Sequence, residues 1–190
     1  MLTKALVGLA GVIVALTVVV ASRPSKFHVE RSITIEASPE RPFAQVNDLH
    51  RWSAWSPYEK LDPNMARTFD GPSAGPGAAY AWAGDKAGAG KMTIVESAPP
   101  SRIRIRLDFV RPMAATHQAT FTFAPAGGGA TRVTWAMDGD CGVMGKAMSL
   151  VMSMDRMIGD DFARGLEALK ASSERRSGEG ERAGEEARAR

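Results

Sequence analysis

MGKAMSLVMSMDRMIGDDFARGLEAL, residues 144–169, is the last long apolar pattern in the chain. At about 100° per residue, Met144, Met148, Val151, Met152, Ile158, Phe162, Leu166 and Leu169 fall on one stripe, with Asp155 inside it. The spacing predicts a helix. A helix this long with a broad apolar stripe needs a partner surface, and the residues upstream supply one.

RIRIRLDF at 102–109 alternates strictly, with Ile103, Ile105, Leu107 and Phe109 on one face and Arg102, Arg104, Arg106 and Asp108 on the other. One face is wet, so the sheet to which this strand belongs is covered on a single side. FHVERSITIE at 27–36 alternates in the same way, and further strands read at 65–69, 78–83, 90–96, 116–123 and 131–138. The turns between them carry Gly71 to Gly77, Gly84-Asp85-Lys86, Ala98-Pro99-Pro100 and Gly127-Gly128-Gly129, the regular spacing of an antiparallel meander. Between the first strand and the meander, Ser38 suits a helix N-cap and Pro39 the first helical position. The short helix they open runs to about Leu49, with Phe43 and Val46 inward. The next stretch, HRWSAWSPYEKLDP at 50–63, sets Trp52, Trp55 and Tyr58 three apart. Such rings either plug one end of the core or form a flat apolar wall for a ligand, and both readings stand. The fold class is α+β, a sheet closed by the C-terminal helix.

Both ends of the chain differ from this middle. ALVGLAGVIVALTVVVA at 5–21 carries no charge, follows Lys4 and is closed by Ser22-Arg23-Pro24-Ser25-Lys26. Seventeen residues rise about 26 Å as a helix, and Leu2 and Thr3 extend the run towards the ~30 Å of a bilayer core. We read an uncleaved, single-pass N-terminal membrane anchor ahead of a cleaved signal peptide, which the small residues at Val19-Val20-Ala21 also permit. The side of the membrane is left open by the weak asymmetry of flanking cations. At the other end, 171–190 carries five Arg and five Glu with no apolar residue larger than alanine, the composition of a disordered tail. The domains are therefore 1–26, anchor and linker; 27–170, the folded unit; and 171–190, the tail.

The net charge of +3 is a property of the ends, since 27–170 holds 16 basic and 16 acidic residues. A neutral folded unit argues against a nucleic-acid surface, which needs a concentrated basic patch. Cys141 is the single cysteine, so no intramolecular disulfide or thiolate cluster is expected. His28, His50 and His117 lie far apart without ligand spacing, and neither a phosphate loop nor a nucleophile elbow is present; no metal and no cofactor are expected.

The order of strand, short helix, aromatic loop, meander and long helix resembles the SRPBCC superfamily of START, Bet v 1 and polyketide cyclase/dehydrase-like proteins. The matching runs are VERSITIEASP at 29–39, WSAWSPY at 52–58, Gly71-Pro72 with Gly75 and Gly77, and YAWAG at 80–84. MDRMIGDDF at 154–162 follows, with Gly165, Leu166, Leu169 and Lys170; together they point to the bacterial polyketide cyclase-like branch. The resemblance implies a helix-grip fold, a curved antiparallel sheet wrapped around the last helix, with an apolar cavity between them for a hydrophobic small molecule or lipid. It does not imply one chemistry.

Ligand-binding candidates are Trp52, Trp55, Tyr58, Tyr80, Trp82, Met148 and Met152, the methionines because a flexible thioether adapts to irregular apolar ligands. Catalytic candidates are His117, Asp155 and Tyr80. A carboxylate within an apolar stripe must find a partner or take a raised pKa. Asp155 with Arg31 would be a structural ion pair, whereas Asp155 with His117 beside a cavity would be an acid/base pair able to enolise a ketone. Of the two, the ion pair is favoured. Three functions follow: a membrane-anchored binder of hydrophobic ligands, a cyclase or dehydratase, and a ligand-free membrane scaffold.

Overall fold

The computed structural model describes residues 11, 14, 15, 17–142, 145, 146 and 154–188. Met144, Met148, Val151 and Met152 of the stripe lie outside the described residues, as does much of the apolar run at 5–21. Among the described residues no helix is long and apolar enough to cross a membrane.

Seven antiparallel strands form one sheet in the order β1-β7-β6-β5-β4-β3-β2. They are β1 (Lys26–Ile35), β2 (Ala66–Asp70), β3 (Ala79–Ala83), β4 (Ala89–Ala98), β5 (Arg102–Arg111), β6 (Ala115–Gly127) and β7 (Ala130–Asp140). The meander is thus β2 to β7 in chain order, and β1 pairs with the last strand, Arg31 opposite Trp135. The alternation read in β5 holds: Ile103, Ile105 and Leu107 are buried, while Arg102, Arg104 and Arg106 are exposed. On that wet face Arg102 and Arg104 both reach the Glu96 carboxylate, at 2.5 and 2.7 Å.

Between β1 and β2 lie α1 (Glu40–Asn47), a 3₁₀ turn (Leu49–Ala54) and α2 (Pro57–Leu61). Ser38 does not cap α1 as the sequence suggested. Pro39 already has helical dihedrals and occupies the cap position without a side-chain acceptor. The Ser38 hydroxyl bonds instead to the Glu40 carboxylate, holding it below its usual range. Nor does α1 reach Leu49, because Asp48 is extended and accepts from His50 N at 3.0 Å, opening the 3₁₀ turn.

Helix α3 (Met154–Arg188) lies along the inner face. Phe162, Leu166 and Leu169 are buried, with Phe162 stacked on Trp135 at a ring separation of 4.0 Å. Trp52, Trp55 and Phe121 complete this packing; Trp52 and Trp55 are 4.6 Å apart, and both contact Phe121 and Trp135. Their indole N–H groups donate to the Val46 and Gln45 carbonyls. Trp52 and Trp55 are thus buried, the placement that a plug at one end of the core requires.

The helix continues past Lys170, where the sequence reading placed the start of a disordered tail. Ser173 is buried, and the Glu174 carboxylate accepts from Glu36 N at 2.8 Å and from Lys170 Nζ at 2.6 Å. Polar contacts with the end of β1 secure this turn, which is why an apolar pattern did not register it. The backbone remains helical to Arg188.

Candidate functional site

The antiparallel register lines up Phe27, Gly139, His117, Leu107, Met92, Tyr80 and Phe69 as one row across all seven strands. A second row, one step nearer the end where β1 begins, holds Arg67, Trp82, Gly90, Phe109 and Ala115. Their rings touch in sequence. Phe69 stacks on Tyr80 at 5.0 Å, Tyr80 neighbours Trp82 at 6.3 Å, and Trp82 meets the edge of Phe109 at 5.7 Å. Phe109 then meets His117 at 5.4 Å, and His117 meets Phe27 at 5.0 Å. The result is an aromatic wall crossing the sheet beyond the described part of α3. Phe27, Trp82, Phe109 and His117 are partly exposed, and Phe69 is exposed.

Glycine makes the wall continuous. A Cβ on Gly90 would stand 2.6 Å from Trp82 Cη2, so the indole lies over the bare backbone of β4 to reach Phe109. Gly139 does the same between Phe27 and His117, where a Cβ would stand 2.6 Å from the Phe27 ring. The Trp82 indole N–H donates to the Ala87 carbonyl at 3.1 Å, which fixes the ring.

One polar group is built into this wall. The Tyr80 hydroxyl donates to Glu59 Oε1 at 2.6 Å, and Arg67 Nε donates to Glu59 Oε2 at 2.8 Å. Arg67 Nη1 is anchored on the Pro63 and Met65 carbonyls. Burial, followed by the bond to Glu59, pushes the Tyr80 phenol above its ordinary pKa, so it stays protonated. Burial likewise raises Tyr58, which is half-buried near Asp161 of α3. His117 is pushed the other way: burial lowers its pKa, with the Asp140 backbone as a smaller opposing influence. Glu59, Arg67, Phe69 and Phe109 were absent from the candidates read in the sequence. The alternation of β5 put Phe109 inward, but strand register was needed to bring it to Trp82.

Asp155 is not buried in the helix stripe. Its side chain is 58% exposed, and its two oxygens accept from Arg31 Nη1 at 2.8 Å and Nη2 at 2.9 Å. The guanidinium holds the carboxyl below its usual range. Arg31 also lies against Gly159, leaving no room for a Cβ there. The ion pair is therefore the observed arrangement, with both carboxylate oxygens committed to Arg31 rather than to His117. Met148 and Met152 lie outside the described residues.

An open depression of ≈ 760 Å³ runs from β1 across β7 and β6 to β5 and β4, lined by His28, Arg106, Gln118 and Asp138 among others, and includes His117. His28 and Asp138 are paired there at 2.7 Å, which raises the His28 pKa. Among the described residues, no group of three His, Cys, Asp or Glu is placed to hold a metal ion.

The sheet-and-helix architecture is shared with solved structures. The protein CV1439 from Chromobacterium violaceum is 19% identical, with a TM-score of 0.57 over 80% of this chain and 99% of that one. The di-domain ARO/CYC StfQ from the steffimycin biosynthetic pathway is 12% identical, with a TM-score of 0.58 over 80% of this chain and 52% of that one. Ara h 8.0201 is 11% identical, with a TM-score of 0.52 over 77% of this chain and 96% of that one. At these identities the likeness is one of fold. No match was found among the curated proteins. A family model described as polyketide cyclase / dehydrase and lipid transport matches residues 26–174. Because that match runs from the first residue of β1 to the last turn by which α3 is tied to the sheet, the chain belongs to the polyketide cyclase / dehydrase and lipid transport family.

Proposed function

We propose that this protein is a membrane-tethered domain that binds a hydrophobic small molecule or lipid against the aromatic wall from Phe69 to Phe27. The observation that carries this reading is the continuity of the rings across the sheet together with the exposure of all of them but the buried Tyr80. Large apolar rings left accessible gain by covering with an apolar ligand, at roughly 25 cal/mol per Å² removed from water. Tyr80, Glu59 and Arg67 give the wall one polar end, which suits a ligand that is apolar along its body and carries an oxygen at one edge. The uncharged run at 5–21 supplies the tether, and a tethered binder meets its ligand where apolar molecules partition.

The test is thermal unfolding of the full chain in lipid nanodiscs, with and without a panel of apolar aromatic and isoprenoid compounds. At least one compound is expected to raise Tm, and Trp82→Ala with Phe109→Ala is expected to abolish that rise. If no compound in the panel shifts Tm, the binding reading fails and the ligand-free scaffold takes its place.

A second reading is favoured by one observation, the protonated Tyr80 phenol held by Glu59 within the wall. To donate to a developing enolate, as a cyclisation of the kind named for StfQ requires, the phenol would turn its single hydrogen from Glu59 to the substrate. Turnover of a linear polyketone is the measurement. If Tyr80→Phe and His117→Ala leave it unchanged, the enzyme reading is excluded.

A further inference from the structure

We infer that the end of the sheet where β1 begins is a docking surface for an anionic lipid bilayer, bringing the mouth of the aromatic wall to the membrane. The inference rests on the tethered-binder reading above and adds the surface by which it works. Antiparallel order gathers four features at this end: the start of β1 at Lys26, the end of β7 at Asp140, the β3–β4 turn at 84–88 and the β5–β6 turn at 112–114. The two turns abut, since Gly88 lies against the Arg111 carbonyl and Pro112.

At this end stand Val110, 64% exposed, and Met113, 48% exposed, the two most exposed large apolar side chains of the sheet region among the described residues. Arg23, Lys26, Lys86 and Arg111 are exposed around them, against the exposed acids Asp85 and Asp140, while the buried Asp62 draws on Lys86. Apolar tips with a surplus of flanking cations fit an interface of acyl chains beneath anionic headgroups.

The linker makes the orientation geometrical. The N-terminal helical residues end at Ala21, and Val14, Val18 and Val19 are exposed rather than packed on the domain. The Ser25 carbonyl already accepts from Cys141 N at 2.7 Å, extending the β1–β7 pairing. Four Cα steps from Ala21 to Ser25 span at most roughly 14 Å. A domain held that close to a membrane helix presents this end of its sheet to the lipid, and Trp82 and Phe109 lie one row behind the tips.

The experiment uses the full chain in vesicles of phosphatidylcholine and phosphatidylglycerol at three to one. Cys141→Ser provides the background, with an environment-sensitive fluorophore on Met113→Cys or, at the opposite end of the sheet, on Ala126→Cys. The expected result is co-sedimentation with vesicles, quenching of the label at 113 by nitroxide-bearing lipid, and no quenching at 126. Val110→Asp should reduce quenching at 113 several-fold without releasing the chain from vesicles. Co-sedimentation with no quenching at 113 overturns the docking surface and leaves the tether standing. Failure to sediment overturns both. A label at 113 whose emission shifts with protein-to-lipid ratio but is not quenched makes the occupant a second copy of the chain, and the bilayer is rejected.

Discussion

Two groups of aromatic side chains share the inner face of this sheet and are packed in opposite ways. Trp52, Trp55, Phe121, Trp135 and Phe162 form a closed cluster in which each ring is at most 4% exposed. Phe69, Tyr80, Trp82, Phe109, His117 and Phe27 form a line of rings, most of them partly open to solvent. The difference lies in what stands opposite. Helix α3 sets Phe162 flat on Trp135, whereas the described part of the helix does not cover the second group. Identical chemistry serves as core in one place and as a wall that the described part of α3 leaves open in the other, so aromatic content alone does not separate the two.

That contrast can be broken by mutation. Phe162→Ala should cost about 3–5 kcal/mol, because the ring is fully buried and its loss leaves a cavity beside Trp135. Urea unfolding measures it, and a loss under 1 kcal/mol would mean that the closed cluster is not the core. Trp82→Ala should lower ligand affinity by at least tenfold, corresponding to an aromatic contact of about 1.5–3 kcal/mol. Its destabilisation should be smaller than that of Phe162→Ala. Gly90→Ala tests the wall without removing a ring: the new Cβ meets the indole, and overpacking of this kind costs about 1–3 kcal/mol. Circular dichroism in the near ultraviolet should report displacement of Trp82.

Titration sharpens the comparison further, because the two faces of the sheet carry histidines shifted in opposite directions. Burial lowers His117 on the inner face, so the folded state binds its proton less readily than the unfolded chain. Its stability contribution is complete above the unfolded value of about 6.5 and is lost as pH falls through the lowered folded pKa. His28, raised by Asp138, contributes below its unfolded pKa and loses that contribution as pH rises through the raised value. Stability measured from pH 4 to 8 should therefore decline less on the acid side in His117→Gln and less on the alkaline side in His28→Gln. The smallest effect is expected for Asp155→Asn, since the Arg31 pair is exposed to water. Its lowered carboxyl pKa places the stability it supplies above the ordinary carboxylate range, lost as pH falls through the folded value.

Much of this architecture is legible in the sequence. Strict alternation in β1 and β5 fixed which residues face inward, and the turn chemistry placed the meander. What the sequence did not carry was register. Trp82 and Phe109 are 27 positions apart, and nothing local shows that Gly90 lies between them to let the rings meet. Helical periodicity placed Asp155 inside the apolar stripe, but periodicity does not reveal that Arg31 reaches across from β1 to hold it at the surface. The polar turn at Glu174 carries no apolar signal for a related reason: its tie to Glu36 spans the whole domain in sequence.

The line of rings, rather than the closed cluster, is the surface we propose receives the ligand. The chain has four tryptophans, and their indole N–H resonances divide between the two groups, Trp82 in the wall and Trp52, Trp55 and Trp135 in the core. The most direct measurement is an NMR titration of the ¹⁵N-labelled full chain in nanodiscs with the compound that gives the largest thermal shift. Saturable movement of the Trp82 signal is expected, with the three core signals staying in place. Movement of Trp52, Trp55 or Trp135 with Trp82 unchanged would contradict that proposal.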